Sequence, residues 1–130
     1  MPDTKFAEVL AQHREDDVCM FTTIGRRSGR AHRIEIWFGV SGEAMYFIAG
    51  NGVGSDWYQN ALADPHVTVE FGADVVRGLA SPVSDAEERR RIGELMGAKY
   101  PWEGDASIGL TRDAWCFDVP LLRVVEDPMP

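Results

Sequence analysis

Four arginines, a serine and a histidine fall within eight residues: Arg26, Arg27, Ser28, Gly29, Arg30, Ala31, His32 and Arg33, entered from Gly25. Arginine carries a planar fork of N–H donors that matches phosphate and carboxylate oxygens, and glycines leave the backbone of a turn open to a close anion. The surrounding composition sharpens the point. Across 130 residues there are 13 Lys and Arg against 21 Asp and Glu, for a net charge of −8, and removing these four arginines would leave −12. A glycine-bracketed basic turn in an acidic protein is expected to hold a phosphate or carboxylate group. The competing reading is a solvated hairpin tip. A pI near 4.8 argues against a general nucleic-acid binder, which needs a broad basic surface rather than one turn.

Little else in the chain has the spacing of a reactive centre. His13 and His66 are isolated, and no Ser-His-Asp constellation or metal-ligand spacing is present. Cys19 and Cys116 lie far apart and read as reduced, buried strand residues of a cytoplasmic protein. No apolar stretch approaches the roughly 20 residues needed to span a bilayer. The second informative run is Gly50, Asn51, Gly52, Val53 and Gly54, a loop whose backbone a flat ligand could approach. Trp57 and Asn60 follow it, and Tyr100 and Trp102 stand later in the chain.

These residues need elements to place them. An amphipathic pattern of Phe6, Val9 and Leu10 predicts a helix over 4–15, capped by Thr4. Residues 18–24 read as a strand that runs into the basic turn. Ile34, Ile36 and Phe38 alternate with Arg33, Glu35 and Trp37 as a second strand, and residues 40–43 turn the chain into a third over 44–49, making an antiparallel meander. Ser55 is expected to cap a short helix that ends before Asp64 and Pro65. Residues 67–71 and 75–83 then read as strands, with Gly78 as a candidate bulge. Ser84 with Glu87 forms a capping-box pattern for a helix reaching Tyr100, and 115–125 closes the chain as a strand interrupted by Pro120.

The expected class is α+β: a mainly antiparallel barrel of about six strands with about three short helices, in one domain. It divides into an N-terminal helix (1–16), a core meander with the cofactor motifs (17–83), a helix and loop (84–113) and a final strand and tail (114–130). No Gly-x-Gly-x-x-Gly run follows the first strand, which argues against a Rossmann reading.

The run from Phe21 through the basic turn to Phe38 resembles the deazaflavin-dependent nitroreductase and quinone-reductase family of split β-barrel proteins, the FMN-binding split-barrel type. Ser55, Asp56, Trp57, Tyr58, Gln59 and Asn60, followed by Asp64, Pro65, Val67 and Val69, are similar to its second signature. Lys99, Tyr100, Pro101 and Trp102 resemble a third. The resemblance implies coenzyme F420, whose phosphate and oligoglutamate tail would meet Arg26, Arg27, Ser28 and Gly29, with His32 and Arg33 close by. It places Gly50, Asn51 and Gly52 near the deazaflavin ring, and Trp57 and Asn60 on the helix behind it. Many members carry Pro-Leu where this chain has Glu35 and Ile36, and the loop before Trp57 lacks a common lysine, so the acceptor stays open.

From the residues themselves, His32 either contacts the ligand or sits on the barrel wall, Arg33 either joins the turn or pairs with Glu35 or Asp56, and Trp57 either packs or binds. Glu35, Trp37 and Trp102 are expected at the substrate pocket, with Tyr100 as the candidate proton donor. The implied activity is hydride transfer from reduced F420 to a small flat acceptor: a quinone, a nitroaromatic or an enone. An FMN-dependent oxidoreductase and a non-catalytic carrier are the alternatives, and either a monomer or a homodimer is expected.

Overall fold

The computed structural model describes residues 5–128. In chain order it contains α1 (Lys5–His13), β1 (Cys19–Ile24), β2 (Ala31–Ile36), β3 (Gly39–Ser41), β4 (Ala44–Ile48), α2 (Asp56–Ala63), β5 (His66–Phe71) and β6 (Asp74–Pro82). These are followed by α3 (Ala86–Lys99), β7 (Gly104–Asp105), β8 (Leu110–Thr111), α4 (Arg112–Phe117) and β9 (Leu121–Glu126). Seven strands form one antiparallel sheet in the order β2-β1-β5-β6-β9-β4-β3, and β7 pairs with β8 separately.

That order puts β2 and β3 on opposite edges of the sheet, although only Trp37 and Phe38 separate them in the chain. The three steps from Ile36 to Gly39 reach at most about 11 Å. The sheet must therefore curl until its edges nearly meet. The split-barrel expectation holds, but the antiparallel meander over 18–49 does not, because β2 pairs only with β1 while β3 pairs with β4.

β4 shows how the curled sheet is packed on both faces. Met45 and Phe47, with Ala49 just beyond the strand, join Phe21, Phe38, Val69, Leu122 and Val124 in an inner core that also takes Phe6, Val9 and Leu10 of α1 and Tyr58 and Ala61 of α2. Ala44, Tyr46 and Ile48 point the other way, against Ile92 and Met96 of α3 and Trp115 and Cys116 of α4. Strict alternation of side chains along one strand thus feeds two cores.

Several local expectations are corrected. Residues 115–117 belong to α4 rather than to the last strand. Thr111 caps that helix by accepting from the Ala114 N–H at 3.1 Å, and β9 starts only after Pro120, which has no N–H to give a ladder. Cys116 is therefore a helical residue, buried and free like Cys19. α3 is capped by Asp85, not Ser84, through Glu88 N–H at 2.8 Å. Gly78 is no bulge: it pairs in register with both Val67 and Glu126, and a Cβ there would lie 2.3 Å from Val124 Cγ1. Among the described residues the strands number nine and the α-helices four. The expected Thr4 cap lies outside the described residues.

At the end of α1, His13 is held between two acids. Its Nε2 lies 2.7 Å from Asp74 Oδ2 and its Nδ1 2.8 Å from Asp16 Oδ2, while the ring stacks on Phe71 at 4.8 Å. The Asp74 bond raises the imidazole pKa above 6.5, partial burial opposes it, and Asp16 adds to the rise. A raised folded-state pKa stabilises the fold below the unfolded value of 6.5, and that contribution is lost as pH climbs through the folded value. The urea midpoint is expected to fall between pH 6 and pH 8 in the native chain, and by less in His13→Gln.

Candidate functional site

The basic turn is a closed structure. Gly25 N–H donates to Arg30 O and Gly29 N–H to Gly25 O, each at 2.8 Å, and Gly29 takes a φ of +71° that favours glycine. These two amides, expected to face an anion, are spent inside the turn. The need for Gly25 is steric instead: a Cβ there would lie 2.5 Å from His32 Nε2 and 2.6 Å from Ser28 Oγ. Its absence lets both side chains fold over the turn, where they meet at 3.3 Å.

α2 buttresses the turn from below. Asn60, only 4% exposed, accepts from the Arg26 N–H at 3.2 Å and from Arg26 Nη1 at 2.7 Å, and its amide donates to Thr23 at 3.4 Å. Asp56 pairs with Arg26 Nη2 at 3.2 Å. Arg26 is thus fixed and partly neutralised. The guanidinium of Arg27 makes no hydrogen bond or ion pair with any described residue. Together with Gly25, Ser28 and His32, these residues line a cleft of about 200 Å³.

A second cleft, of about 240 Å³, opens where the curled edges approach. Glu35 and Ile36 come from the end of β2, Trp37 from the crossover after it, Ile48 from β4, Met96 from α3 and Trp115 from α4. Trp37 stacks on Tyr100 with centroids 4.4 Å apart and meets Trp102 and Trp115 edge-on at 6.2 and 5.8 Å. Arg112 secures this wall by donating to the carbonyls of Gly97, Tyr100 and Trp102, the last two at 3.0 and 2.7 Å.

The structure therefore gathers Arg26, Arg27, Ser28, His32 and Asn60 at one cleft and Glu35 and Trp37 at the other, with Trp102 packed against Trp37 and Trp115. Other expected site residues fall elsewhere. Arg33 leaves the opposite face of β2 from His32 and forks onto Glu70 at 2.9 and 3.3 Å, not onto Glu35 or Asp56. Trp57 packs edge-on against Phe21 and Phe47 in the inner core. Gly29 shapes the turn without lining the cleft. Gly50, Asn51 and Gly52 line neither cleft, but Gly50 lies close to Trp115, 3.4 Å from where its Cβ would be.

Tyr100 is corrected as a proton donor. Its hydroxyl donates to Asp17 O at 2.7 Å and accepts from Phe38 N–H at 3.1 Å, and burial pushes its pKa up to about 12. Together with Lys99, which donates to Phe38 O at 2.9 Å, it clamps the two-residue crossover that joins the sheet edges. Trp115, Met96 and Ile48 were missed as cleft walls. Thr111 followed by Asp113 was the available helix-start signal that would have moved Trp115 off the strand.

A curled antiparallel half-barrel with a cation-lined cleft between the β1–β2 turn and α2 defines a protein of the split-barrel class. Residues 4–113 match the family described as F420H(2)-dependent quinone reductase, and the chain belongs to it; it is an oxidoreductase of that family. Among solved structures it is similar to the F420-H2-dependent reductase FDR-A, at 23% identity and a TM-score of 0.65 over 84% of this chain and 94% of that one. A chain described as a domain-swapped dimer is 24% identical with a TM-score of 0.64, covering 91% and 92%. The heme storage protein HutZ from Vibrio cholerae is 15% identical with a TM-score of 0.69, covering 94% and 90%. At these identities the likeness is one of fold. No curated protein matches the chain. Among the described residues, no helix is long and apolar enough to cross a membrane.

Proposed function

We propose that this chain binds coenzyme F420 along β2 and reduces a flat aromatic acceptor, a quinone foremost, in the tryptophan-walled cleft. The supporting observation is that one edge strand serves both clefts. His32 reaches the cation-lined cleft, and Glu35 to Trp37 reach the aromatic one three to five residues on. At roughly 3.3 Å per residue this separates the two by about 10–16 Å along the strand. Because His32 and Glu35 leave opposite faces, an elongated ligand with an anionic end and a flat end would reach both only by crossing the open edge of β2.

The residues fit such a group. Arg27 has no partner to give up, Ser28 and His32 add donors beside it, and the Ser55 hydroxyl, next to Asp56, is the one buried side-chain polar atom without a partner among the described residues. When bound, reduced F420 supplies a hydride that, with one proton from solvent, turns a quinone into a hydroquinone. The chain's part is to bind, orient and exclude water. Charge at Arg27 anchors one end, and that binding energy fixes the orientation of the other. Trp37 and Trp115 offer ring faces and edges for stacking an acceptor. With the Tyr100 hydroxyl committed to backbone, the acceptor's proton enters from the exposed Glu35 side. Two free, buried thiols suit a reducing compartment, in keeping with a cytoplasmic enzyme.

Titration of the purified chain with F420 and with FMN, followed by tryptophan quenching, tests the reading. Saturable F420 binding with weaker FMN binding is expected. Tight FMN binding without F420 affinity overturns it.

A further inference from the structure

Among the described residues that line the aromatic cleft, one side chain is ionisable. Ile36, Ile48, Met96, Trp37 and Trp115 are its other walls, and Glu35 stands among them at the end of β2. Arg33, two residues back, is already bound to Glu70, and Glu35 itself makes no hydrogen bond or ion pair with any described residue. Glu35 is exposed at the rim, so solvent screens its charge in part, but no cation neutralises it and it acts at short range on whatever enters the cleft.

We infer that Glu35 is a specificity-determining residue: it makes the aromatic cleft select uncharged or cationic flat acceptors and reject anionic ones. This rests on the reading above that the acceptor binds there. At about 240 Å³ the cleft is smaller than the roughly 300 Å³ at which drug-sized pockets begin, so an acceptor of one or two rings is expected. Any charge on such a molecule must lie near Glu35. Specificity here comes as much from repulsion as from attraction.

The test compares 1,4-naphthoquinone with its 2-sulfonate on the native chain and on Glu35→Gln, an exposed isosteric change. Turnover is measured with reduced F420, and Kd is measured separately by tryptophan quenching without cofactor. Glu35→Gln is expected to shift the sulfonate-to-parent ratio of kcat/KM, and the matching ratio of Kd values, about threefold to tenfold in favour of the sulfonate, whatever change the two quinones share. The sulfonate gain is expected to shrink at 1 M salt, where the screening length falls to about 3 Å. Equal changes for both quinones, or none for either, overturn the inference while leaving the F420 reading in place if turnover persists. A selective shift in Kd without F420 turnover supports Glu35 as the selector and overturns the F420 reading instead. If neither quinone quenches tryptophan fluorescence or is turned over, both fall.

Discussion

Arg27→Ala is expected to weaken F420 binding by about one to two decades while leaving thermal stability unchanged. A charge-assisted hydrogen bond is worth roughly 1.5–3 kcal/mol, which corresponds to about 10- to 150-fold in Kd. Arg27 can deliver that in full, since no described residue shares its guanidinium. Arg26→Ala is expected to behave differently. Its guanidinium is bound to Asn60 and Asp56, so its loss also leaves the buried Asn60 oxygen with only the Arg26 N–H as a donor and loosens α2 against the turn. Both affinity and stability should fall. Fluorescence titration at two salt concentrations and a urea melt of each variant separate the cases, the anchoring loss being the salt-dependent one. Unchanged affinity in Arg27→Ala would mean that the turn is merely solvated.

The basic turn was legible because its signal is local. Glycine spacing and clustered charge both act over a few residues, and the Asn60 contact followed from a motif at fixed distance. The aromatic cleft was only half legible. Glu35 lies on a strand whose alternation could be read, with Trp37 just past its end, but the opposite wall comes from Ile48, Met96 and Trp115, joined only by the curl of the sheet. That curl is encoded in the shortness of the Trp37–Phe38 crossover, which means nothing until the strand order is known. Tyr100 misled for a related reason. Its position after a helix and before a loop reads as a lid, yet its hydroxyl meets Phe38 and Asp17 backbone 62 and 83 residues away in the chain. A contact at that range leaves no trace in local pattern. Arg33 shows the same limit on a smaller scale, since its partner sits across β1 on β5.

Gly93→Ala should be the most destabilising small change in the α3–α4 layer, although alanine favours a helix over glycine by about 1 kcal/mol. A Cβ at Gly93 would lie 2.3 Å from the Cys116 carbonyl oxygen and 2.5 Å from Phe117 Cδ1. The first neighbour is backbone, so relief requires α4 to move as a unit. Such movement pulls the Trp115, Cys116 and Val119 carbonyls away from Arg89, which donates to all three, and lifts Trp115 from its packing against Tyr100 and Trp102. Overpacking typically costs about 1–3 kcal/mol, and the lost hydrogen bonds add roughly 1 kcal/mol or more. The net destabilisation is expected to be about 2–3 kcal/mol, or a drop in Tm of roughly 5–15 °C by calorimetry. Gly97→Ala is the control: one turn along the same helix, its Cβ would meet Arg112 Nη2 at 3.1 Å and Cys116 Sγ at 3.2 Å, both side-chain atoms that can yield. Its Tm should change by only a few degrees in either direction. The site should respond unequally as well. Because Trp115 walls the aromatic cleft and nothing in α4 lines the basic one, Gly93→Ala is expected to raise the quinone KM by more than it weakens F420, whose anionic end is proposed to be held at Arg27. Loss of both together would mean that the two clefts are not separately supported by the two cores of the sheet.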